Sequence, residues 1–155
     1  MTNVERFLEK FGEFGARPCP ERYEDLFDPE EGTVLHPGMP APLHRDHVRA
    51  YMTNFLESIP GFGFEIVWWA EREGRVFVEA RNRAHPGGRD LEWGSVYRIV
   101  LRGDRVLRGQ AFTDRVPILA ALLPEATLGE IDGIGAPTPS LAQASTAGAG
   151  QAISS

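Results

Sequence analysis

The chain has 155 residues, of which 42% are hydrophobic and 25% charged, as in an ordinary globular domain. Sixteen basic against 22 acidic residues give a formal charge of −6, which argues against a protein that binds the nucleic acid backbone. The single cysteine, Cys19, rules out an intrachain disulfide and a cysteine-based metal site.

No stretch of the sequence reaches the roughly 18 consecutive apolar residues of a membrane span. The N-terminal residues 1–6 show no basic region followed by an apolar one, the pattern of a secretion signal. We therefore expect a cytoplasmic protein without a membrane partner.

Helical spacing at the N-terminus predicts an amphipathic first helix. Thr2 and Glu5 match a capping box, and the apolar residues that follow share one helical face: Val4, Phe7, Leu8, Phe11 and Phe14. A second, short helix is predicted from Pro20 to about Phe27, where Asp28 and Pro29 end it.

The next segment predicts a short strand, a loop and a third helix. Thr33–His36 is extended, because a residue that precedes proline is disfavoured in helical geometry. Two prolines make residues 38–42 a loop. Asp46 is a suitable N-cap for a helix over Asp46–Ser58, which Pro60 and Gly61 stop.

Apolar and polar residues alternate from Phe64 to Arg115, which predicts an antiparallel sheet with one buried and one wet face. Its four long strands are Phe64–Glu73, Arg75–His85, Leu91–Arg102 and Arg105–Arg115. A last helical turn, Pro117–Leu123, closes a domain over residues 1–124. Residues 125–155 are rich in small residues and lack aromatics, so we expect a largely disordered tail.

Strand parity assigns the inward rows of three strands. They are Val76, Val78, Ala80, Asn82 and Ala84, then Leu91, Trp93, Ser95, Tyr97, Ile99 and Leu101, then Leu107, Gly109, Ala111 and Thr113. The opposite rows carry the charged residues and so face water. The first strand stays ambiguous, because Ile66, Trp68 and Ala70 compete with Val67 and Trp69 for the inside.

Several inward side chains are polar or amphipathic: Asn82, Trp93, Ser95, Tyr97 and Thr113. Buried polar groups need partners, and their convergence beside small residues such as Ala111 predicts a ligand pocket. The alternative is a filled core in which each polar group bonds to nearby backbone.

This order of elements resembles the nuclear transport factor 2-like fold, a cone-shaped α+β superfamily of ketosteroid isomerases, SnoaL-like polyketide cyclases and limonene-epoxide hydrolases. The resemblance covers about residues 4–123. Its local marks are Thr33-Val34-Leu35-His36-Pro37-Gly38, Asp46 at the next helix start, and the closing strand from Gly103 to Asp114. It implies a curved antiparallel sheet of four long strands plus a short strand, wrapped around three N-terminal helices.

The resemblance also implies site residues. Ketosteroid isomerases place their general base directly before the proline of the short strand, the position of His36. Their acid that donates to the oxyanion corresponds to Ser95. Limonene-epoxide hydrolases use an Asp–Arg–Asp set, and Ala111 stands at its closing-strand acid position, which makes that activity the weaker match.

The function implied is a SnoaL-like isomerase, cyclase or dehydratase that performs acid–base chemistry on a hydrophobic carbonyl compound. His36, Ser95 and Tyr97 would be catalytic, and the substrate-binding residues would be Trp68, Asn82, Trp93, Ala111 and Thr113. No cofactor and no metal are implied, since enolisation needs only a base and an oxyanion partner. The alternative is a non-catalytic ligand-binding or protein-interaction module. The arginine-rich outer sheet face, with aliphatic residues at its centre, predicts a homodimer.

Overall fold

The computed structural model describes residues 1–122, with side chains to residue 119, in two compact units divided after Asp114. The second unit begins at Arg115, and its described part contains the helix α4, Val116–Leu122. The predicted domain boundary at residue 124 and the predicted disorder of residues 125–155 lie outside the described residues. No described helix is long and apolar enough to cross a membrane.

The first helix, α1, spans Asn3–Ala16 and begins with the expected capping box. The backbone N–H of Glu5 donates to Thr2 Oγ1 at 3.0 Å, and the Thr2 N–H donates to the Glu5 carboxylate at 3.3 Å. Near its C-terminal end α1 passes so close to the sheet that a Cβ at Gly15 would lie 2.5 Å from the Phe64 carbonyl oxygen. Only glycine allows this approach.

The second helix, α2, is Pro20–Glu24 and is shorter than predicted. The expectation that it continues to Phe27 is wrong because Leu26 and Phe27 join the sheet instead. The Leu26 carbonyl accepts from the Val106 N–H at 2.8 Å, and Phe27 forms a parallel bridge with Val106. Tertiary hydrogen bonds to the sheet therefore override the local helical pattern.

The third helix, α3, is Val48–Ser58, preceded by a 3-10 turn at Arg45–His47. Asp46, the predicted N-cap, lies inside that turn. Its backbone N–H donates to His44 Nδ1 at 3.1 Å, so His44 caps the 3-10 turn. The N-cap of α3 is His47, which makes no capping hydrogen bond with its side chain, so the predicted Asp46 cap is wrong.

Six strands form one sheet. They are β1 (Thr33–Leu35), β2 (Leu43–His44), β3 (Gly63–Arg72), β4 (Arg75–Ala84), β5 (Leu91–Arg102) and β6 (Arg105–Thr113), in the order β2-β1-β6-β5-β4-β3. Only the β1–β6 pair among them is parallel. The sheet is curved and open, and with the N-terminal helices it confirms the predicted α+β cone. The short strand β2 was not predicted.

Two β-bulges change the strand parity read from the sequence. In β3 the register shifts at Val67, so Ile66 pairs with Ala80 while Trp68 pairs with Glu79 on the outer face. In β6 the register shifts at Leu107, so Leu101 pairs with Val106 and Val100 with Arg108. Val106, not Leu107, is therefore the buried residue at this level, which corrects the predicted inward row.

The core lies between the helices and the inner face of the sheet and is largely aromatic. Phe7, Phe14 and Phe64 are 0–3% exposed. Phe11 packs against the Phe64 ring at 4.9 Å and edge-on against Tyr97 at 5.2 Å. These rings fill the deep part of the cone, as the filled-core alternative predicted for that region.

Candidate functional site

A cleft of about 330 Å³ opens at the edge of the sheet where β1 ends. The last residue of β1, Leu35, pairs with Gln110, so β6 continues past its parallel neighbour. The chain segment Leu35–Met39 forms one wall and Gln110–Thr113 forms the other. The cleft thus follows from a three-residue strand lying beside a nine-residue one.

His36 lies on the first wall, directly after β1, and is held from two sides. Its Nε2 is 2.7 Å from the Tyr23 hydroxyl of α2. Its ring stacks on Tyr51 of α3, with centroids 4.6 Å apart and planes 17° from parallel. Two helices and a strand therefore fix one imidazole ring at the cleft.

Burial controls the protonation of this group. Desolvation lowers the pKa of His36 to about 4, so the ring is neutral at physiological pH. Burial also raises the pKa of Tyr23 well above 10 and that of Tyr51 to about 12, so both phenols keep their protons. The Tyr23–His36 contact is therefore a hydrogen bond between neutral groups.

Helical periodicity does not indicate that Tyr23 and Tyr51 belong to this site. It places each on the apolar face of its helix, and Tyr23 is indeed only 5% exposed. A signal was present, because a buried phenol needs a hydrogen-bond partner and His36 is a polar residue of the adjacent short strand.

A second set of polar side chains lies on the inner face of the sheet, on three neighbouring strands. Asn82 and Ser95 are 1% and 4% exposed. The Asn82 Nδ2 donates to the Trp93 carbonyl at 3.1 Å and to Ser95 Oγ at 2.9 Å. Ser95 Oγ is 2.8 Å from Thr113 Oγ1, and Thr113 lines the cleft. Three predicted site residues therefore form one chain of hydrogen bonds.

Tyr97 and Trp93 belong to the filled part of the cone. Burial raises the pKa of Tyr97 to about 12, and the hydrogen bond between Tyr97 and Ser95 partly opposes this shift. Trp93 is 7% exposed and its ring lies 6.0 Å from that of Phe62. Within the described chain, the cleft lining includes the predicted residues His36, Ala111 and Thr113, while Asn82, Trp93, Ser95 and Tyr97 lie behind it.

Trp68 does not join this site. It is 56% exposed and pairs with Glu79 in the outward row of the sheet. The expectation that it stacks on a ligand beside Trp93 fails because the bulge at Val67 turns Trp68 to the opposite face.

The described lining offers an imidazole, a hydroxyl and an amide side chain, and no carboxylate. No cluster of three or more metal-ligating side chains occurs among the described residues. Such a lining can exchange hydrogen bonds with a ligand and can move a proton at His36.

Several solved structures share this fold. An NTF2-like protein of unknown function from Burkholderia pseudomallei superposes with a TM-score of 0.68 at 16% identity, over 79% of this chain and 99% of that one. IdmH, a candidate polyketide cyclase from Streptomyces antibioticus, gives 0.66 at 16% identity over 77% and 97%. A protein with a ketosteroid isomerase-like fold from Catenulispora acidiphila, in complex with trimethylamine, gives 0.66 at 16% identity over 74% and 90%.

A search of curated protein sequences returned no match. The model of the SnoaL-like domain, however, matches residues 4–109, which is more than half of the chain and includes His36, Asn82 and Ser95. The cone-shaped sheet, the cleft beside its short strand and this match agree: the chain belongs to the SnoaL-like family of the nuclear transport factor 2-like superfamily.

Proposed function

We propose that this protein is a cofactor-independent enzyme that performs acid–base chemistry on a hydrophobic carbonyl compound, with His36 as the group that moves the proton. The observation that carries the proposal is the 2.7 Å hydrogen bond between the buried Tyr23 phenol and His36, beside an open cleft. A histidine used only to stabilise the Pro37–Gly38 turn would not need this second, buried partner.

The Tyr23 contact permits two tautomers of the neutral imidazole. When the phenol donates to Nε2, Nδ1 carries the ring proton and can donate it to a carbonyl oxygen. When Nε2–H donates to the phenol oxygen, Nδ1 has a free lone pair and can accept a proton from carbon. The proton taken from the substrate can return to another of its atoms, so an isomerisation or cyclisation balances without any co-reactant.

The low pKa of His36 restricts the substrate. An imidazole with a pKa of about 4 is a weak base, so it can deprotonate only a carbon acid that is itself activated. A carbon flanked by two carbonyl groups meets this requirement. A SnoaL-like neighbour described as a candidate polyketide cyclase is consistent with that class of compound.

The test is turnover of a panel of cyclic 1,3-diketones and polycyclic ketones, followed as loss of the C–H proton into D₂O. His36→Ala should reduce the exchange rate about 10²–10⁴-fold, the usual contribution of a positioned acid or base. His85→Ala is the matched control, since His85 is an exposed histidine paired with Asp90. Equal rates in wild type and His36→Ala would remove His36 from the mechanism.

A second candidate, a non-catalytic binding module, is favoured by one observation. No carboxylate lines the described cleft, although an acid is the usual strong base of this fold's isomerases. Under this alternative the same ketones would bind, seen as a thermal shift, and none would exchange protons faster than in buffer.

We propose further that the outer sheet face pairs with a second copy of the chain. Trp68, Val96 and Phe112 are 42–56% exposed and lie in one row across the strands, with Glu79 between Trp68 and Val96. Both signs of charge flank them, including the Glu65–Arg81 ion pair at 2.9 Å and Arg98 over the Phe112 ring. A face that combines exposed apolar side chains with charges of both signs can be complementary to itself under a twofold axis.

A further inference from the structure

The hydrogen-bond chain that runs from Asn82 through Ser95 to Thr113 has a determinable direction. An amide nitrogen only donates, and both Asn82 Nδ2 hydrogens are used, on the Trp93 carbonyl and on Ser95 Oγ. Ser95 is therefore an acceptor toward Asn82. The neighbouring Tyr97 phenol keeps its own proton and can donate it to the second lone pair of Ser95 Oγ, which leaves the Ser95 hydroxyl hydrogen for Thr113.

Thr113 Oγ1 lies 2.8 Å from Ser95 Oγ and can accept that hydrogen. A hydroxyl that accepts a hydrogen bond becomes a stronger donor, so donation from Asn82 favours continuation of the chain in the same sense. Thr113 then holds its own hydrogen free on the cleft side of the chain, because it is the member that lines the cleft.

We propose that the cleft recognises an acceptor oxygen, a carbonyl or carboxylate, through the Thr113 hydroxyl, and that Asn82 and Ser95 are positioning residues that set this polarity. The inference deepens the proposed function, since it rests on the cleft being a small-molecule site. Asn82 acts without touching the ligand: it orients Ser95, Ser95 orients Thr113, and of these three residues only Thr113 touches the ligand.

The reverse direction would have a different consequence. If Thr113 donated to Ser95, the cleft would meet only the lone pairs of Thr113 Oγ1. It would then select hydroxyl or ammonium donors instead of ketones. Whether the cleft prefers acceptor or donor ligands therefore shows in which direction the Asn82–Ser95–Thr113 hydrogen bonds run.

The test compares two bicyclic probes, 1-tetralone and tetralin, which differ by the carbonyl oxygen. Dissociation constants are measured by NMR titration of the ¹⁵N-labelled full chain, followed at the amides of residues 111–113. The quantity of interest is the ratio of the tetralin to the tetralone constant, because the different solvation of the two probes is the same for every protein variant.

Thr113→Val should lower this ratio roughly three- to tenfold, the value of one neutral hydrogen bond. Thr113→Ser should keep it, because the hydroxyl is retained. Thr53→Val is the matched control, since the Thr53 hydroxyl donates to its own helix, at the Arg49 carbonyl.

Asn82→Asp tests the positioning role. The introduced carboxylate only accepts, so Ser95 donates to it and Thr113 turns its hydrogen inward, and the ratio should fall as in Thr113→Val. Mere loosening of the cone would weaken both probes alike and leave the ratio unchanged. If Asn82→Asp does not fold by circular dichroism, the Thr113→Val and Thr113→Ser pair decides.

The outcomes separate this inference from the proposed function. If both probes bind and Thr113→Val does not change the ratio of their dissociation constants, the inference is overturned. The proposal that the cleft binds small molecules then still stands. If neither probe shifts the amides of residues 111–113 up to its solubility limit, both the inference and the proposed ligand class fail.

Discussion

At the scale of single residues, the site is governed by desolvation. His36, Tyr23 and Tyr51 meet at one point from three different elements, and burial holds all three neutral. A neutral imidazole bonded to a phenol is less costly to bury than an ion pair, because no charge leaves water. The same burial makes His36 a weak base, which ties the choice of substrate to its surroundings.

This burial predicts a pH-dependent stability. Between pH 6.5 and about 4 the unfolded chain binds a proton at His36 that the folded chain does not, so stability falls as the pH drops through this window. Between pH 7 and 5 the loss from this residue is on the order of 2 kcal/mol.

Urea unfolding of His36→Gln at pH 7 and pH 5 measures this contribution. The wild-type decrease in the free energy of unfolding should shrink by that amount in the variant, while Thr53→Val, which removes no titratable group, keeps the full decrease. An identical decrease in His36→Gln and wild type would mean that the pKa of His36 is the same in the folded and the unfolded chain.

At the scale of secondary-structure elements, close contact between α1 and β3 decides how the core closes. The capping box starts α1 and its phenylalanines face the sheet, but the approach at its C-terminal end depends on Gly15. Gly12, one helical turn earlier, has room for a side chain, because a Cβ there would lie 4.0 Å from Ile66 Cδ1, an ordinary van der Waals contact.

These two glycines provide a matched pair. Gly15→Ala should lower the free energy of unfolding by about 1–3 kcal/mol, since the methyl group would collide with the Phe64 backbone and ring. Gly12→Ala should be neutral or should stabilise by up to about 1 kcal/mol through helix propensity. Thermal and urea unfolding of both variants checks this, and equal effects would contradict the close approach.

Pairing between strands also explains where strand parity assigned the inward residues wrongly. Alternation predicted the inward rows of β4 and β5 correctly, because the pairing between these two strands contains no register shift. In β3 and β6 one extra residue, Val67 or Leu107, reverses the parity beyond it. Nothing local distinguishes these residues, since a bulge is set by the pairing of two strands.

At the scale of the whole molecule, the outer sheet face carries the prediction of a dimer. Sedimentation equilibrium should give twice the 17.1 kDa chain mass at micromolar concentration. Val96→Arg should give the monomer, because Val96 lies between Glu79 and Phe112 in the central exposed row and burying a bulky, charged side chain between two copies is costly. Ala50→Arg, on the exposed side of α3, is the control. A monomeric wild type would contradict this proposal.

Local sequence signals were enough to predict the architecture. The period of two over residues 64–115, the capping box at Thr2 and the proline after His36 are local signals, and each corresponds to an element of the structure. Chain order was enough to indicate the cone-shaped fold and to draw attention to His36, which does lie on the cleft.

Which residues meet at the site depends on how the elements pack and how the strands pair. Tyr23 reaches His36 because α2 is packed against α3 and the strand β1 lies beside them, a contact that no periodicity encodes. A bulge in β3 places Trp68 on the outer face of the sheet. The register of β4, β5 and β6 brings Asn82, Ser95 and Thr113 into one chain of hydrogen bonds. Alternation can be read from one segment of the sequence, whereas register depends on how two strands pair. The contacts of the site depend on that register.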